Sequence, residues 1–449
     1  MTLNLQDLTH ALLDAAKTAG ADSADAISLK GTSVSIDVRK GALEQAERSE
    51  GTDIGLRVMI GQRQATVSAS DTSAATIKTL GERAVAMAQE APEDPYIGLA
   101  TPDQLAKSWD IEALELADRT AEPSPDQLQQ DAIEAEAAAL SVNGITQVSA
   151  SSASYGERQI HIAATNGFSG GYSRTDRGTS CVAIAGEGLG MERDYDSDVR
   201  IFQNDLRAPS EIGERAAKRA VERLNARKPS TGQYPVLFDE RISGSLIGHL
   251  LGASNGAAIA RGSSWLKDCE GKQVLSKSLS VYEDPFRARV SGSRPFDAEG
   301  LPTAQRTIVE NGVLTGWTLD LANARKLGKV STGNAARGTS SGPSPSNWNV
   351  SLSQSDQTKA GLLRDMGTGL LVTSLIGSTI NPNTGDYSRG AAGFWVENGE
   401  ICYPVNECTI AGNLRDMLLT MQAANDARGW LSRVVPSLLV EGLAIAGDA

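Results

Sequence analysis

Histidine, cysteine and aromatic residues are scarce in this chain of 449 residues. It has three histidines, four cysteines and only 4% aromatic residues. The cysteines show no C-x-x-C spacing, which predicts free thiols and a cytoplasmic protein rather than a disulfide framework. Three scattered histidines also argue against a self-contained, histidine-rich zinc site.

The chain has fewer basic than acidic residues, and it has no long apolar run. The 42 basic and 55 acidic residues give a net charge of −13, which disfavours a surface that follows nucleic-acid phosphates. No run of roughly 18 apolar residues occurs, so no membrane span is expected. Residues 1–20 lack a basic region, and we interpret them as a helix rather than a signal peptide. We therefore expect no direct nucleic-acid partner and no membrane partner.

Two common catalytic motifs are not expected either. The chain has no G-x-x-x-x-G-K-[ST] segment, which excludes a P-loop. We further predict neither a nucleophile elbow nor a serine triad.

What the chain does contain is typical of an α+β protein. Its 40% apolar content, 45 glycines and 16 prolines fit a folded protein with many turns. The length favours two domains, and a Pro/Ser/Thr/Gly-rich linker near residues 228–233 marks the boundary. We predict an N-terminal α/β domain over residues 1–228, with a mainly antiparallel sheet and flanking helices. A C-terminal domain rich in β-hairpins is predicted over residues 229–449.

The first half alternates between helical and strand periodicity. Residues 5–20 predict a helix that ends at Gly20. A β-meander is predicted over residues 33–70, with breaks at Lys40-Gly41, Glu50-Gly51 and Gly61-Gln62. Helices are then expected over residues 72–91, 110–141 and 210–226, the second of them in two pieces.

The second half carries stronger turn signals. Asn-Gly pairs at residues 311–312 and 398–399 predict β-hairpins, because both turn positions require positive φ. Residues 338–358 predict a long irregular loop of the kind that moves or binds. A last helix is predicted over residues 413–427.

His249 is the most informative single residue, because it lies in a predicted helix among glycines four residues apart. Those glycines, at positions 244, 248, 252 and 256, predict a close approach of backbone or partner to this helix. The helical neighbours of His249 include no second metal ligand. A packed structural histidine and a polar residue at a shared binding surface both remain open. The other two histidines, His10 and His161, are interpreted as structural.

The segment NPNTGDYSRGAAGFW is the best candidate for a functional surface. Asp386, Tyr387 and Arg389 lie close together in it, and an arginine can bind a carboxylate through two hydrogen bonds. A purely structural hairpin corner, in which Asp386 caps turn amides, is the alternative.

Three long stretches resemble the TldD/PmbA family. They are SLIGSTINPNTGDYSRGAAGFWVENGEICYPVNECTIAGNLRDML (374–418), GSLIGHLLGASNGAAIARGSSWLKDCEGKQVL and RPFDAEGLPTAQRTIVENGVLTGWTLDLANARKLG. One kind of subunit in this family carries a zinc-binding H-E-x-x-x-H helix, and the PmbA/TldE kind lacks it. The three motif positions here are Gly248, His249 and Ala253, so the resemblance implies a PmbA/TldE-type subunit with no catalytic, cofactor or metal residues of its own.

The resemblance also implies a function. It points to the non-catalytic subunit of a cytoplasmic two-subunit zinc metalloprotease that acts on small or unfolded peptides. The partner would be a homologous TldD-like chain that holds the zinc, and a homodimer of this chain alone is left open. In this interpretation Gly248, His249, Asp386, Tyr387 and Arg389 are candidate interface or peptide-binding residues. The alternatives are a regulatory binding protein, suggested by the family label "modulator of DNA gyrase", and an enzyme with its own metal-free site.

Overall fold

The computed structural model describes residues 4–447, without the side chains of residues 378 and 379. The outermost residues of the two predicted domains, 1–3 and 448–449, lie outside this description. The helices are α1 (Leu5–Ala19), α2 (Ala74–Glu90), α3 (Ile111–Leu114), α4 (Pro125–Leu140), α5 (Pro209–Glu222), α6 (Glu240–Ala253), α7 (Gly256–Ala260), α8 (Leu321–Lys326), α9 (Lys359–Met366) and α10 (Leu414–Thr420).

The strands are distributed over both halves of the chain. In the first half they are β1 (Ser23–Arg39), β2 (Ala42–Ile60), β3 (Arg63–Ala69), β4 (Ile145–Ala164), β5 (Ser169–Ala185) and β6 (Glu192–Arg200). In the second half they are β7 (Gly232–Phe238), β8 (Val281–Glu283), β9 (Arg306–Glu310), β10 (Val313–Leu314), β11 (Ala335–Ala336), β12 (Ser344–Pro345), β13 (Val350–Leu352), β14 (Gly369–Ile380), β15 (Asp386–Glu397), β16 (Glu400–Asn413), β17 (Gln422–Ala423), β18 (Arg433–Val434) and β19 (Leu438–Ala446).

The first half forms one antiparallel sheet of six strands in the order β3-β2-β1-β4-β5-β6. Lys40 and Gly41 make the first turn with positive φ, as their sequence predicts. The predicted break at Glu50-Gly51 is wrong, because β2 continues through it and Gly51 pairs with Gly31 of β1. Both glycines have extended backbones there, so neither one turns the chain.

Four helices cover one face of this sheet. Helices α1 and α2 pack over β1, β2 and β3, while α4 and α5 pack over β4, β5 and β6. Helix α4 begins with a capping box at Ser124, with Gln127 returning the hydrogen bond and Pro125 in the first turn. Gly20 ends α1 in the left-handed conformation, as predicted.

The other face of the sheet meets the second half of the chain. Ile27 and Ile162 of this face pack with Phe168, Phe296 and Ala298 in one buried cluster. The contact between the two halves is therefore a true apolar core rather than a loose linker contact.

The second half contains a closed ring of five strands. The sheet order is β16-β15-β14-β7-β19, and β16 also pairs with β19, which closes the ring. Helix α6 follows β7 and buries Leu246, Ile247 and Leu250 against the strand side chains. A separate sheet of five strands, β10-β9-β8-β13-β18, lies beside this barrel.

The predicted α+β class is confirmed by this mixture of helices and mainly antiparallel sheets. Both Asn-Gly hairpins are confirmed, since residues 311–312 and 398–399 have positive φ and join paired strands. The last helix is shorter than predicted and ends at Thr420. Within residues 4–447, no helix has the length and hydropathy that a bilayer span requires. The division into two domains at residue 228 stays a prediction.

Residues 338–358 differ most from their prediction. They contain β12 and β13, and the backbone of Thr339 lies directly against Gly55 of β2. Arg337, just before them, forms a buried ion pair with Asp25 of β1. This segment therefore fastens the second half of the chain to the first sheet instead of moving freely.

Candidate functional site

A cavity of about 810 Å³ lies between the edge of the first sheet and helix α6. Strand β6 forms one wall, and α6, β14 and β15 form the other. Its lining is rich in charged side chains, among them Arg193, Asp194, Arg223, Glu240, Arg241, Arg389, Arg428 and Arg433.

The glycines of α6 face this cavity or open space, but they do not form the predicted four-residue stripe. Helix α6 ends at Ala253, so Gly256 belongs to α7. A Cβ on Gly248 would lie 2.8 Å from Nη1 of Arg433, and one on Gly244 would lie 3.4 Å from Cδ of the same residue. A Cβ on Gly252 would meet nothing within 4 Å. The predicted close approach thus exists at Gly248, where the side chain of Arg433 makes it, and at Gly256, where a Cβ would lie 2.8 Å from the carbonyl oxygen of Thr318.

His249 packs against Tyr387 across the strand–helix contact. Their rings are 6.0 Å apart in an edge-to-face arrangement, and Nε2 of His249 is buried without a hydrogen-bond partner. Burial lowers the pKa of His249, and the nearby guanidinium groups of Arg389 and Arg433 lower it further. The imidazole is therefore neutral at pH 7.

Strand β15 separates the three residues that the sequence grouped together. Tyr387 and Arg389 share one face because side chains alternate along a strand, and Tyr387 is only 2% exposed. Asp386 points to the opposite, exposed face, where it accepts hydrogen bonds from Thr384 and Asn413. These hydrogen bonds lower the pKa of Asp386. Only Tyr387 and Arg389 therefore join His249.

The hydroxyl of Tyr387 is buried, and the guanidinium of Arg389 lies beside it but outside strict hydrogen-bond geometry. Burial raises the pKa of Tyr387 to about 12, although the neighbouring Arg389 partly offsets this effect. The phenol is thus a neutral hydrogen-bond donor.

Sequence reasoning missed Arg433, whose guanidinium has no ion pair among the described residues and donates a hydrogen bond to the carbonyl of Gly244. It lies 184 positions after His249 and reaches the site through the short strand β18. A single arginine in a turn-rich segment carries no pattern that would identify it. Only the fold brings it to α6.

A zinc ion does not fit this site. Gly248 and Ala253, which offer no ligand atoms, stand at the ligand positions of the family motif, and the guanidinium group of Arg433 lies beside Gly248. Among the side chains in the described part of the chain, no group of three His, Cys, Asp or Glu residues could hold a metal ion.

The spacing G-x-S-x-G does occur, contrary to our expectation, at residues 252–256 and 338–342. Neither segment joins a strand to a helix as a nucleophile elbow does. Ser254 is fully buried and donates its hydroxyl hydrogen bond to the carbonyl of Leu251. The remaining histidines are packed together, with Nδ1 of His161 2.9 Å from Oγ1 of Thr9 and its ring edge-to-face with His10.

The chain matches three consecutive family models. They describe domain 1, the central domain and the C-terminal domain of the PmbA/TldA metallopeptidases, over residues 24–88, 118–224 and 231–447. Metalloprotease PmbA of Escherichia coli is 37% identical, over 95% of this chain and 93% of that protein.

Solved structures agree with these matches. A crystal structure from Bacteroides thetaiotaomicron, described as a candidate modulator of DNA gyrase, is 26% identical with a TM-score of 0.90 and covers 98% of both chains. The structure of TldE from Thermococcus kodakarensis, which is 21% identical, shares the fold with a TM-score of 0.83 over 98% of this chain and 99% of that one.

Proposed function

Because the chain belongs to the PmbA/TldD metallopeptidase family, we propose that it is the PmbA/TldE-type, non-catalytic subunit of a two-subunit zinc metalloprotease. Its partner is a homologous TldD-like chain in the cytoplasm, and its substrates are small or unfolded peptides. The zinc belongs to the partner, and this chain contributes no cofactor.

One observation carries the proposal: one guanidinium group lies beside the first ligand position of the family motif, and a second lies near the glutamate position. Arg433 fills the space beside Gly248, and Arg389 lies close enough to lower the pKa of His249. Cations at these positions would repel a zinc ion rather than bind it. The guanidinium groups of Arg389 and Arg433 can instead donate hydrogen bonds to a substrate.

The division of labour follows from the chemistry of peptide hydrolysis. A catalytic zinc activates water and polarises the peptide carbonyl, while a carboxylate transfers the proton. The cavity of this chain offers hydrogen-bond donors and space for a peptide, which support a binding and enclosing role.

The test is a fluorogenic-peptide assay on this chain, on a TldD-like chain from the same source, and on the two after co-expression. We expect background turnover from this chain alone, well under one zinc per chain, and cleavage of unfolded peptides once the partner is present. Replacing the partner's motif glutamate with glutamine should abolish cleavage without separating the subunits.

Two results would contradict the proposal. One is chelator-insensitive turnover by this chain alone. The other is partner activity that does not change when this chain is added, which would favour the regulatory binding protein. Light scattering of the purified chain decides whether it forms a homodimer in the absence of its partner.

A further inference from the structure

Three buried polar atoms beside the cavity, whose lining includes Arg389 but not His249 or Tyr387, have no partner in strict hydrogen-bond geometry. They are Nε2 of His249, the hydroxyl oxygen of Tyr387 and Nε of Arg389. Leaving a buried polar group without a hydrogen bond is energetically costly, so native proteins rarely leave several in one place. Their convergence indicates a ligand that accepts hydrogen bonds.

The charges of the same wall point to an anionic ligand. Arg241 and Arg428 are paired with Asp194 and Glu240, respectively. Within residues 4–447, by contrast, neither Arg389 nor Arg433 has an acidic side chain at ion-pair distance. A chain with a net charge of −13 thus keeps, in its described part, three guanidinium groups without an ion pair beside one cavity, those of Arg389 and Arg433 at α6 and that of Arg193 on the opposite wall.

We propose that Arg389 and Arg433, together with Tyr387 and His249, bind a carboxylate group of the peptide. A guanidinium matches a carboxylate through two parallel hydrogen bonds. The neutral phenol and the neutral imidazole of the cluster can each donate one more. The peptide nature of the ligand rests on the proposed function, whereas the carboxylate site rests on the cluster itself.

The position of the cluster explains how the rest of a peptide would be held. Arg389 and Arg433 line the cavity whose opposite wall includes Arg193, Asp194 and Tyr195 of β6. A volume of about 810 Å³ is within the range of ligand pockets. A peptide anchored by its carboxylate at α6 would therefore extend toward the edge of the first sheet.

The experiment measures binding to the full chain, without partner, by fluorescence anisotropy. Three labelled tetra-alanine probes are compared: one with a free C-terminus, one with a C-terminal amide, and one amidated with an internal aspartate. We expect the free acid to bind at least about tenfold more tightly than the plain amide, because charged hydrogen bonds are lost in the amide. The aspartate probe separates a side-chain carboxylate from a terminal one. If it binds as tightly as the free acid, the site accepts either carboxylate. If it binds only as weakly as the plain amide, the site is specific for the C-terminus.

Variants with a matched charge change locate the site. Arg389→Gln and Arg433→Gln should each remove the preference for the free acid. Arg193→Gln, which removes an exposed arginine of the same cavity, should retain it. Circular dichroism melting checks that each variant folds, and the comparison of the probes on the unaltered chain requires no variant.

Equal affinity for acid and amide, or no binding of any probe, would overturn the inference. An equal loss in Arg193→Gln would reduce the effect to general electrostatics and overturn it too, as would stronger competition by inorganic phosphate than by acetate. Failure here is distinct from failure of the proposed function, because cleavage by the two-chain complex requires no preference for free acids in this isolated chain.

Discussion

At the scale of single residues, two carboxyl groups where the halves of the chain meet stand out. Asp297 is 1% exposed and accepts hydrogen bonds from the backbone amides of Glu299, Leu301 and Ala335. Burial raises the pKa of Asp297 to about 7. Burial, together with Asp297 and Asp320, raises the pKa of Glu299. The protonated forms of this pair are therefore favoured in the folded state.

This arrangement predicts a pH dependence of stability. A carboxyl group whose pKa is raised on folding stabilises the protein most below its unfolded pKa, and that stability is lost as pH rises through the folded value. Glu299→Gln keeps an oxygen for the amide of Leu321 but cannot ionise. We expect the wild type to lose more free energy of unfolding than the variant between about pH 5 and pH 8. Urea denaturation at both pH values measures the difference, and parallel losses in the two proteins would contradict the prediction.

The candidate site shows what sequence can and cannot reveal about single residues. Gly248 and Ala253 show directly that this sequence departs from the family's ligand motif. The partnership of Tyr387 with His249 was not predictable, because it joins β15 to α6 across 138 positions. The separation of Asp386 from Tyr387 follows from strand alternation, which closeness in sequence alone does not reveal.

At the scale of elements, helix packing depends on one glycine. Gly213 of α5 lies so close to α4 that a Cβ would sit 1.9 Å from the carbonyl oxygen of Ala135. The backbone of α4 cannot move aside for a Cβ in the way that the end of a flexible side chain can. The contact between α4 and α5 is thus set by the absence of a side chain.

Gly213→Ala should therefore destabilise the protein, by about 2 kcal/mol, because overpacking outweighs the better helix propensity of alanine. Gly252→Ala is the matched control on α6, where a Cβ meets nothing within 4 Å. It should stabilise by up to about 1 kcal/mol. Chemical denaturation of both variants provides the comparison, and a shift of the same sign in both would refute the packing argument.

Sequence signals predicted an element correctly where the element depends on neighbouring residues and not on pairing with a distant strand. The capping box at Ser124 and the Asn-Gly turns depend on neighbouring residues, and all are present. The supposed break at Glu50-Gly51 failed because pairing with β1 holds the glycine extended. The last helix is shorter than predicted for a similar reason: residues 422–423 pair with β19 instead of continuing the helix.

At the scale of the whole molecule, buried charge joins the two halves. Asp25 and Arg57 belong to the first sheet, and Arg337 arrives from the second half with a fully buried side chain. Sequence could not predict this contact, because its partners are 312 positions apart.

Arg337→Met should cost about 3 kcal/mol of stability, because it removes one partner of a buried ion pair. Arg289→Met is the control, since Arg289 also joins the halves, to Glu115 and Asp205, but through exposed side chains. The loss of stability in Arg289→Met should be much smaller, because exposed ion pairs contribute little. Urea unfolding distinguishes the two, and equal losses would show that burial of the charge is not what matters.

The closed ring of strands in the second half leaves no free strand edge at which another extended chain could pair. In the ring formed by β7, β14, β15, β16 and β19, every strand has a neighbour on both sides. In the first sheet, the side chains of Arg207 and Arg219 bond to the carbonyls of Ser197 and Tyr195 on the edge strand β6. Free strand edges template aggregation with any extended chain nearby. A chain with the proposed function would meet that hazard whenever it meets unfolded peptides, and this fold lessens it by closing one sheet and covering carbonyl groups on the β6 edge of another.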